Sequence, residues 1–200
     1  MKKIMFKDKY GLTAAVLNGR KTMTRRIIKA PRRTIEGKEV CGFAINKTSD
    51  GVPYEVWLTG PDEESLCQLL PTYKVGEEVA IAQAYNTLRW PALPGIDWKA
   101  ITDEVTHSKG WTNKMFVKAE YMPHRIRITD IKIERLQDIN GSDIKKEGVW
   151  LDEKIDRFMV GKKVFFLAKE AFAYLIDKVS GNGTWERNPW VFAYSFKLID

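Results

Sequence analysis

The stretch HRIRITDIKIERLQDI, His124 to Ile139, most restricts what this chain can become. Ile126, Ile128, Ile131 and Ile133 are apolar with polar residues between them, which is the two-residue period of a strand with one face on a core. The parity changes between Ile128 and Ile131, so the sequence predicts a bulge or turn near Thr129 and Asp130. A second long strand is expected in WVFAYSFKLI, 190–199, either alternating or buried on both faces.

Around these two, shorter elements are expected. Residues 3–6 read as a strand, and KDKYGLTAAVLNG as a short helix with Tyr10, Ala14 and Leu17 at helical spacing, Ala15 and Val16 beside them, and Gly19 as its stop. KTMTRRII is β-branched and reads as extended. CGFAIN and PYEVWLT form two strands across the turn-rich KTSDG, followed by an acidic helix in PDEESLCQLL. A turn at Lys74 to Gly76 feeds a strand from Val79, and MFVKAEY reads as a strand. GSDIKKEG is a short helix with Ser142 as cap and Gly148 as stop. VFFLAKEAFAYLIDKVSG is a longer helix whose Phe172, Leu175, Ile176 and Val179 share a face.

Five to seven strands with two or three helices, in an order that does not alternate βαβ, define an α+β chain built on a curled antiparallel sheet or barrel. At 200 residues one domain over 1–200 suffices, carrying an inserted hairpin at about 31–70 and a long loop at about 86–114. A structureless loop of that length is unusual in a compact domain, so this one is a lid, a surface excursion pinned by Trp90, Trp98 and Trp111, or a missed element.

The net charge of +7 is local. Residues 1–40 hold twelve Lys/Arg against three acids, a balance of +9, and the other 160 residues, with 21 basic and 23 acidic, sum to −2. Arg20, Lys21, Arg25, Arg26, Lys29, Arg32 and Arg33 follow one another without an acid, which suits a phosphate backbone or a solvated basic face. No long amphipathic helix accompanies them, which disfavours a membrane surface. Cys41 and Cys67 lack C-x-x-C spacing and His107 and His124 are scattered, so no metal, no cofactor and reduced thiols are expected. The apolar run near the N-terminus, Ile4 to Phe6, is too short for a signal peptide, and nothing later is long enough to span a membrane; the expected location is the cytoplasm.

The stretch GRKTMTRR, Gly19 to Arg26, stands at the corner between the first helix and the following extended segment. LNGRKTMTRR, YKVGEEV, RITDIKIERLQDI with KKEG, and GTWERNPWVFAYSFKLI together resemble ASCH-domain proteins of the PUA-like superfamily, in the phage- and prophage-associated branch. About half of the chain carries the resemblance, and the 31–70 and 86–114 segments lie outside it. It implies a small antiparallel β-barrel with two or three packed helices and a cleft for RNA or modified nucleosides. One branch that is similar at the corner hydrolyses N4-acetylcytidine with a lysine, a threonine and a glutamate, and these fall on Lys21, Thr24 and Glu147. From the run of cations, Arg20, Arg25, Arg26, Lys29, Arg32 and Arg33 are the candidate nucleic-acid contacts. Phage-type members commonly follow the VG-D turn with an Arg-Glu pair and an aromatic, where this chain has Ala82, Gln83, Ala84 and Tyr85. Competing expectations are a catalytically silent phage-associated binding or assembly module, and a ribonuclease.

Amide hydrolysis requires a nucleophile, a base, a proton carrier and oxyanion donors. Among Arg20, Arg25 and Arg26 the Lys21 pKa is expected to be lowered, so that it acts as base toward Thr24 while Glu147 carries the proton to the leaving group. Lys21 and Thr24 share a face in a helical turn but not in an ideal strand. The competing account of each is structural: Thr24 a strand residue, Lys21 a solvated cation, Glu147 the partner of a nearby lysine. His124 and Arg125 are a candidate second contact zone, and Trp185 and Trp190 are expected to brace the last turn, not to stack a base.

Overall fold

The computed structural model describes residues 1–88 and 98–199. In chain order, β1 (Lys2–Ile4) and α1 (Leu12–Leu17) lead into β2 (Met23–Ile27). The hairpin β3 (Thr34–Ile35) and β4 (Lys38–Glu39) precedes β5 (Gly42–Lys47), β6 (Pro53–Thr59) and β7 (Ser65–Gln68). Then come β8 (Glu78–Ile81), α2 (Trp98–Thr106), β9 (Arg125–Arg135) and α3 (Gly141–Lys146). The chain ends with β10 (Trp150–Asp152), β11 (Arg157–Val160), β12 (Lys163–Phe165), α4 (Ala168–Ser180), α5 (Thr184–Arg187) and β13 (Trp190–Ile199). The result is a mixed α+β molecule dominated by sheet.

The central sheet has the order β1-β8-β9-β13-β2. Its pairs are antiparallel except β1 with β8, a parallel pair that the expectation of a purely antiparallel sheet missed. β13 lies between β9 and β2 and is buried along most of its length, so both of its faces are apolar. Opposite Ser195 stands Asp130 and opposite Phe196 stands Ile128, which leaves Thr129 as the extra residue of a bulge where the parity of β9 changes. The sheet curls. Arg26, on the β2 edge, donates to the Met5 carbonyl just beyond β1 at 2.9 Å, and Phe6 meets Phe196 at 5.8 Å between ring centroids. Among the described residues no ladder joins the two edges.

Ile4, Val79, Ile81, Ile126, Ile128, Val191 and Tyr194 from the sheet meet Leu12 and Val16 of α1, Ile144 of α3, and Phe172, Leu175 and Ile176 of α4 in one core. Full burial of each such aliphatic side chain is worth about 1.5–3 kcal/mol. On α1 the buried face is Leu12, Ala15 and Val16; Ala14 is exposed, because the helix begins at Leu12 after Gly11 and its phase differs from the expected Tyr10-Ala14-Leu17 row.

Other expectations are corrected. Residues 65–68 form β7, not an acidic helix: Cys67 pairs with Leu58 and Gln68 with Trp57, while the acids occupy the turn that Glu63 makes at positive φ. Residues 115–121 are not a strand but two 3-10 turns, Lys114–Phe116 and Ala119–Tyr121. The Asn113 side chain accepts from the Met115 amide, and the Lys3 amine binds the Met115 and Val117 carbonyls, so these groups have no need of a neighbouring strand. The cap of α3 is Asn140, whose side chain accepts from the Asp143 amide at 2.8 Å, not Ser142. The 86–114 segment is not structureless: α2 lies in it and buries Val105 against Ala80, Ala82, Tyr85, Leu88, Val117, Ala119 and Met122, a second core that Trp111 flanks. Trp90, Pro91, Pro94 and Gly95 lie outside the described residues.

Candidate functional site

The GRKTMTRR corner is held from three sides. After α1, Gly19 at φ +70° turns the chain and its amide closes on the Val16 carbonyl. The Lys21 amide then donates to Ala15 of α1, the Thr22 amide donates to Lys146 of α3, and the Thr22 carbonyl accepts from Phe196 of β13. β2 starts at once, with Thr24 opposite Tyr194 and Arg25 opposite Ala193.

Lys21 points inward and is 2% exposed. Its amine donates to the Met23 carbonyl at 2.6 Å, the Glu147 carbonyl at 2.8 Å and the Glu147 carboxylate at 2.7 Å, which uses all three donors of an ammonium. Burial lowers the Lys21 pKa; Glu147 opposes the shift, and Arg26 and Arg25 add to it. The neighbouring cations invoked from sequence are therefore the lesser cause, and Arg20, exposed, is not among them.

Glu147 sits at the end of α3, with its second carboxylate oxygen 3.1 Å from Arg25. The next residue, Gly148, has φ +100°, and a β-carbon there would come within 3.0 Å of Leu12 and 3.5 Å of Lys21. The backbone favours glycine here, and a β-carbon would also press on the Leu12 side chain.

Arg25, expected to contact nucleic acid, has a fully buried side chain. It binds Glu134 at 2.6 Å, Glu147 at 3.1 Å and Asp143 at 3.4 Å. Three carboxylates occupy its donors, so Arg25 anchors Glu147 and is closed to an external polyanion. Thr24 is 6% exposed and, among the described residues, its hydroxyl has no hydrogen-bond partner, Lys21 included.

Lys21, Thr24 and Glu147 line one cleft of about 580 Å³. Its walls are the Met5–Lys7 link, the β2 corner, the Asn113–Met115 turn and the α4 face of Phe172, Leu175, Ile176 and Val179. Lys7, Lys21, Arg25, Arg26, Lys29 and Lys114 line it, with Glu147 as the one acid among the lining residues. Lys114 is held by Asp8 at 2.7 Å and by the Phe6 carbonyl. Arg26 spends one nitrogen on Met5, and its buried Nε has no partner among the described residues.

Of the six expected nucleic-acid contacts, Arg25, Arg26 and Lys29 line the cleft, while Arg20, Arg32 and Arg33 are exposed outside its lining. His124 and Arg125 are half-buried at the start of β9, also outside it. Trp185 packs edge-on against Phe172 and its carbonyl accepts from Gln137, and Trp190 carries the Arg135 guanidinium 4.5 Å from its ring. Ala82 is fully buried in the second core, the Gln83 amide reaches Met122 Sδ at 3.2 Å, and neither residue lines the cleft. Sequence reasoning missed Lys7, Lys114 and the anchoring acids Glu134 and Asp143. Lys114 stands 108 residues from the Phe6 carbonyl it binds, and no local pattern links them. Glu134 carried no signal either: it follows Ile133 at an ordinary polar position of the alternating strand.

Among the described residues no cluster of His, Cys, Asp and Glu could hold a metal ion, and Cys41 and Cys67 are free thiols. No helix among them is long and apolar enough to cross a membrane. Fold and site together define a sheet-dominated α+β protein with a cationic cleft at a helix-to-strand corner. Comparison with protein-family profiles, curated proteins and solved structures finds no match to the chain.

Proposed function

We propose that this chain is a cytoplasmic ASCH-type domain with a PUA-like curled sheet, and that its cleft binds RNA or a modified nucleoside and hydrolyses an N-acylated base of the N4-acetylcytidine kind. The observation that carries the reading is the convergence of Lys21, Thr24 and Glu147 on one cleft although 123 residues separate Thr24 from Glu147. In the reaction, neutral Lys21 takes the Thr24 hydroxyl proton as the oxygen attacks the acyl carbonyl. The C–N bond then breaks as Glu147 carries the proton from Lys21 to the departing amine, and water then cleaves the acyl ester, its hydroxyl going to the acyl carbon and its proton back to the Thr24 oxygen.

One observation favours a second reading, a silent binding module. Lys21 gives all three donors to Met23 and Glu147 and none to Thr24, so the resting arrangement is that of a structural cation. Turnover requires Lys21 to release one acceptor and a proton. Incubation with N4-acetylcytidine and with short RNAs, read by mass, separates the two. Slow turnover abolished in Thr24→Ala supports the hydrolase; ligand retention without any turnover supports the module; turnover that persists in Thr24→Ala overturns the assignment of the nucleophile.

A further inference from the structure

We propose, on the reading of the cleft as a nucleoside site, that its ligand is a nucleoside monophosphate, with the phosphate on Lys7, Arg26 and Lys29 and the base against α4. Some of the cleft's charges are already spent. Lys21 and Arg25 are neutralised by Glu147, Glu134 and Asp143, and Lys114 by Asp8. Lys7 and Lys29 are exposed and have no ion-pair partner among the described residues, and Arg26 has only the Met5 carbonyl.

Three uncompensated cations at one cleft repel one another, and a neutral nucleoside relieves none of that repulsion, whereas a phosphate dianion does. Position agrees. Arg26 is two residues beyond Thr24 on the same face of β2, about 7 Å along the strand, a separation suited to a ligand with its reacting group at Thr24 and its phosphate farther along. The α4 part of the lining, Phe172, Leu175 and Ile176, is apolar and suits the flat face of a base. The volume is that of a site for one small ligand, which a mononucleotide or a chain end fits.

The test is calorimetric titration with cytidine, cytidine 5′-monophosphate, cytidine 3′-monophosphate and inorganic phosphate, each on the wild type and on Lys7→Ala/Lys29→Ala. One of the monophosphates is expected to bind at least about tenfold tighter than cytidine, as charge-assisted contacts to two or three cations require. In the double variant that ratio falls below about threefold. The preferred isomer tells which end of the sugar faces the lysines. Equal affinity for cytidine and both monophosphates overturns the proposal, as does inorganic phosphate binding as tightly as the better monophosphate, an unchanged ratio in the double variant, or no binding at all. Turnover of N4-acetylcytidine without any gain from phosphate leaves the proposed function standing and removes this inference. A phosphate-dependent gain without turnover of N4-acetylcytidine or its monophosphates keeps the nucleotide site and removes the hydrolase.

Discussion

An ammonium at Lys21 holds three acceptors, whereas a neutral amine holds two and offers a lone pair. Because burial lowers the Lys21 pKa below the ordinary 10.5, the unfolded chain binds more protons than the native one between the lowered value and 10.5. The Lys21 contribution to stability therefore rises with pH across that window and is flat below it. Buried Tyr73 and Tyr194, whose pKa values burial raises above 10.0, act oppositely above that pH. The Lys21 part is thus isolated by the wild-type-minus-Lys21→Met difference in unfolding free energy, which should climb with pH toward 10.5. A difference that stays level would mean Lys21 is not the titrating group. The same lowered value makes kcat/KM for any hydrolysis rise with pH along a limb below 10.5. Thr24→Ala and Lys21→Ala should each abolish turnover, and the double variant should be no worse, because nucleophile and base act as one unit. Breaking the buried Lys21–Glu147 pair also costs stability, about 3–5 kcal/mol when a buried charge loses its partner. With Arg25 still on Glu147, the lower end of that range is expected in urea unfolding.

The short α3 and the glycine that ends it decide whether the site forms at all. Gly148→Ala places a β-carbon against Leu12 and beside Lys21 at a positive φ, so it should destabilise by more than about 1 kcal/mol and displace Glu147. Gly141→Ala, at the first position of the same helix with open space and no positive φ, is the control and should be neutral or stabilising by about 0.4–1 kcal/mol. Equal melting temperatures for the two variants would contradict this account. Elements of this kind were legible where local chemistry is sufficient: the Gly19 and Gly148 stops, the bulge forced by the Ile128-to-Ile131 parity, and the α4 face of Phe172, Leu175 and Ile176. They were misread where tertiary partners decide. β7 exists because β6 offers it a ladder, and the 3-10 turns at 114–121 because Lys3, more than a hundred residues earlier, satisfies their carbonyls. In the site, Lys21, Thr24 and Glu147 were reachable through resemblance. The burial of Arg25 was not, since its three carboxylates come from β9 and α3 and charge alone reads as surface.

On the scale of the whole molecule, the +9 balance of the first 40 residues divides into two populations with different work. Lys21 and Arg25 are buried and hold α3 to β2, whereas Arg20, Lys29, Arg32 and Arg33 face solvent. Replacing one population should therefore change stability, and replacing the other should change binding. Arg25→Ala leaves Glu134, Asp143 and Glu147 together without their shared cation, and buried carboxylates stripped of a partner cost about 3–5 kcal/mol. It should lower the urea midpoint before it says anything about RNA. Arg20→Ala/Arg32→Ala/Arg33→Ala removes no buried contact and should leave the midpoint within experimental error. If these three reach the backbone of a single-stranded RNA whose end enters the cleft, each contact contributes about 0.7 to the slope of log affinity against log salt, so the triple variant should flatten that slope by about 2. Fluorescence titration of a short labelled RNA from low to physiological salt measures both slopes. A slope unchanged by the triple variant, with affinity intact, would confine nucleic-acid recognition to the cleft and leave the exposed arginines as a solvated face. Loss of RNA affinity in Arg25→Ala at conditions where it remains folded would show instead that this buried arginine reaches the ligand.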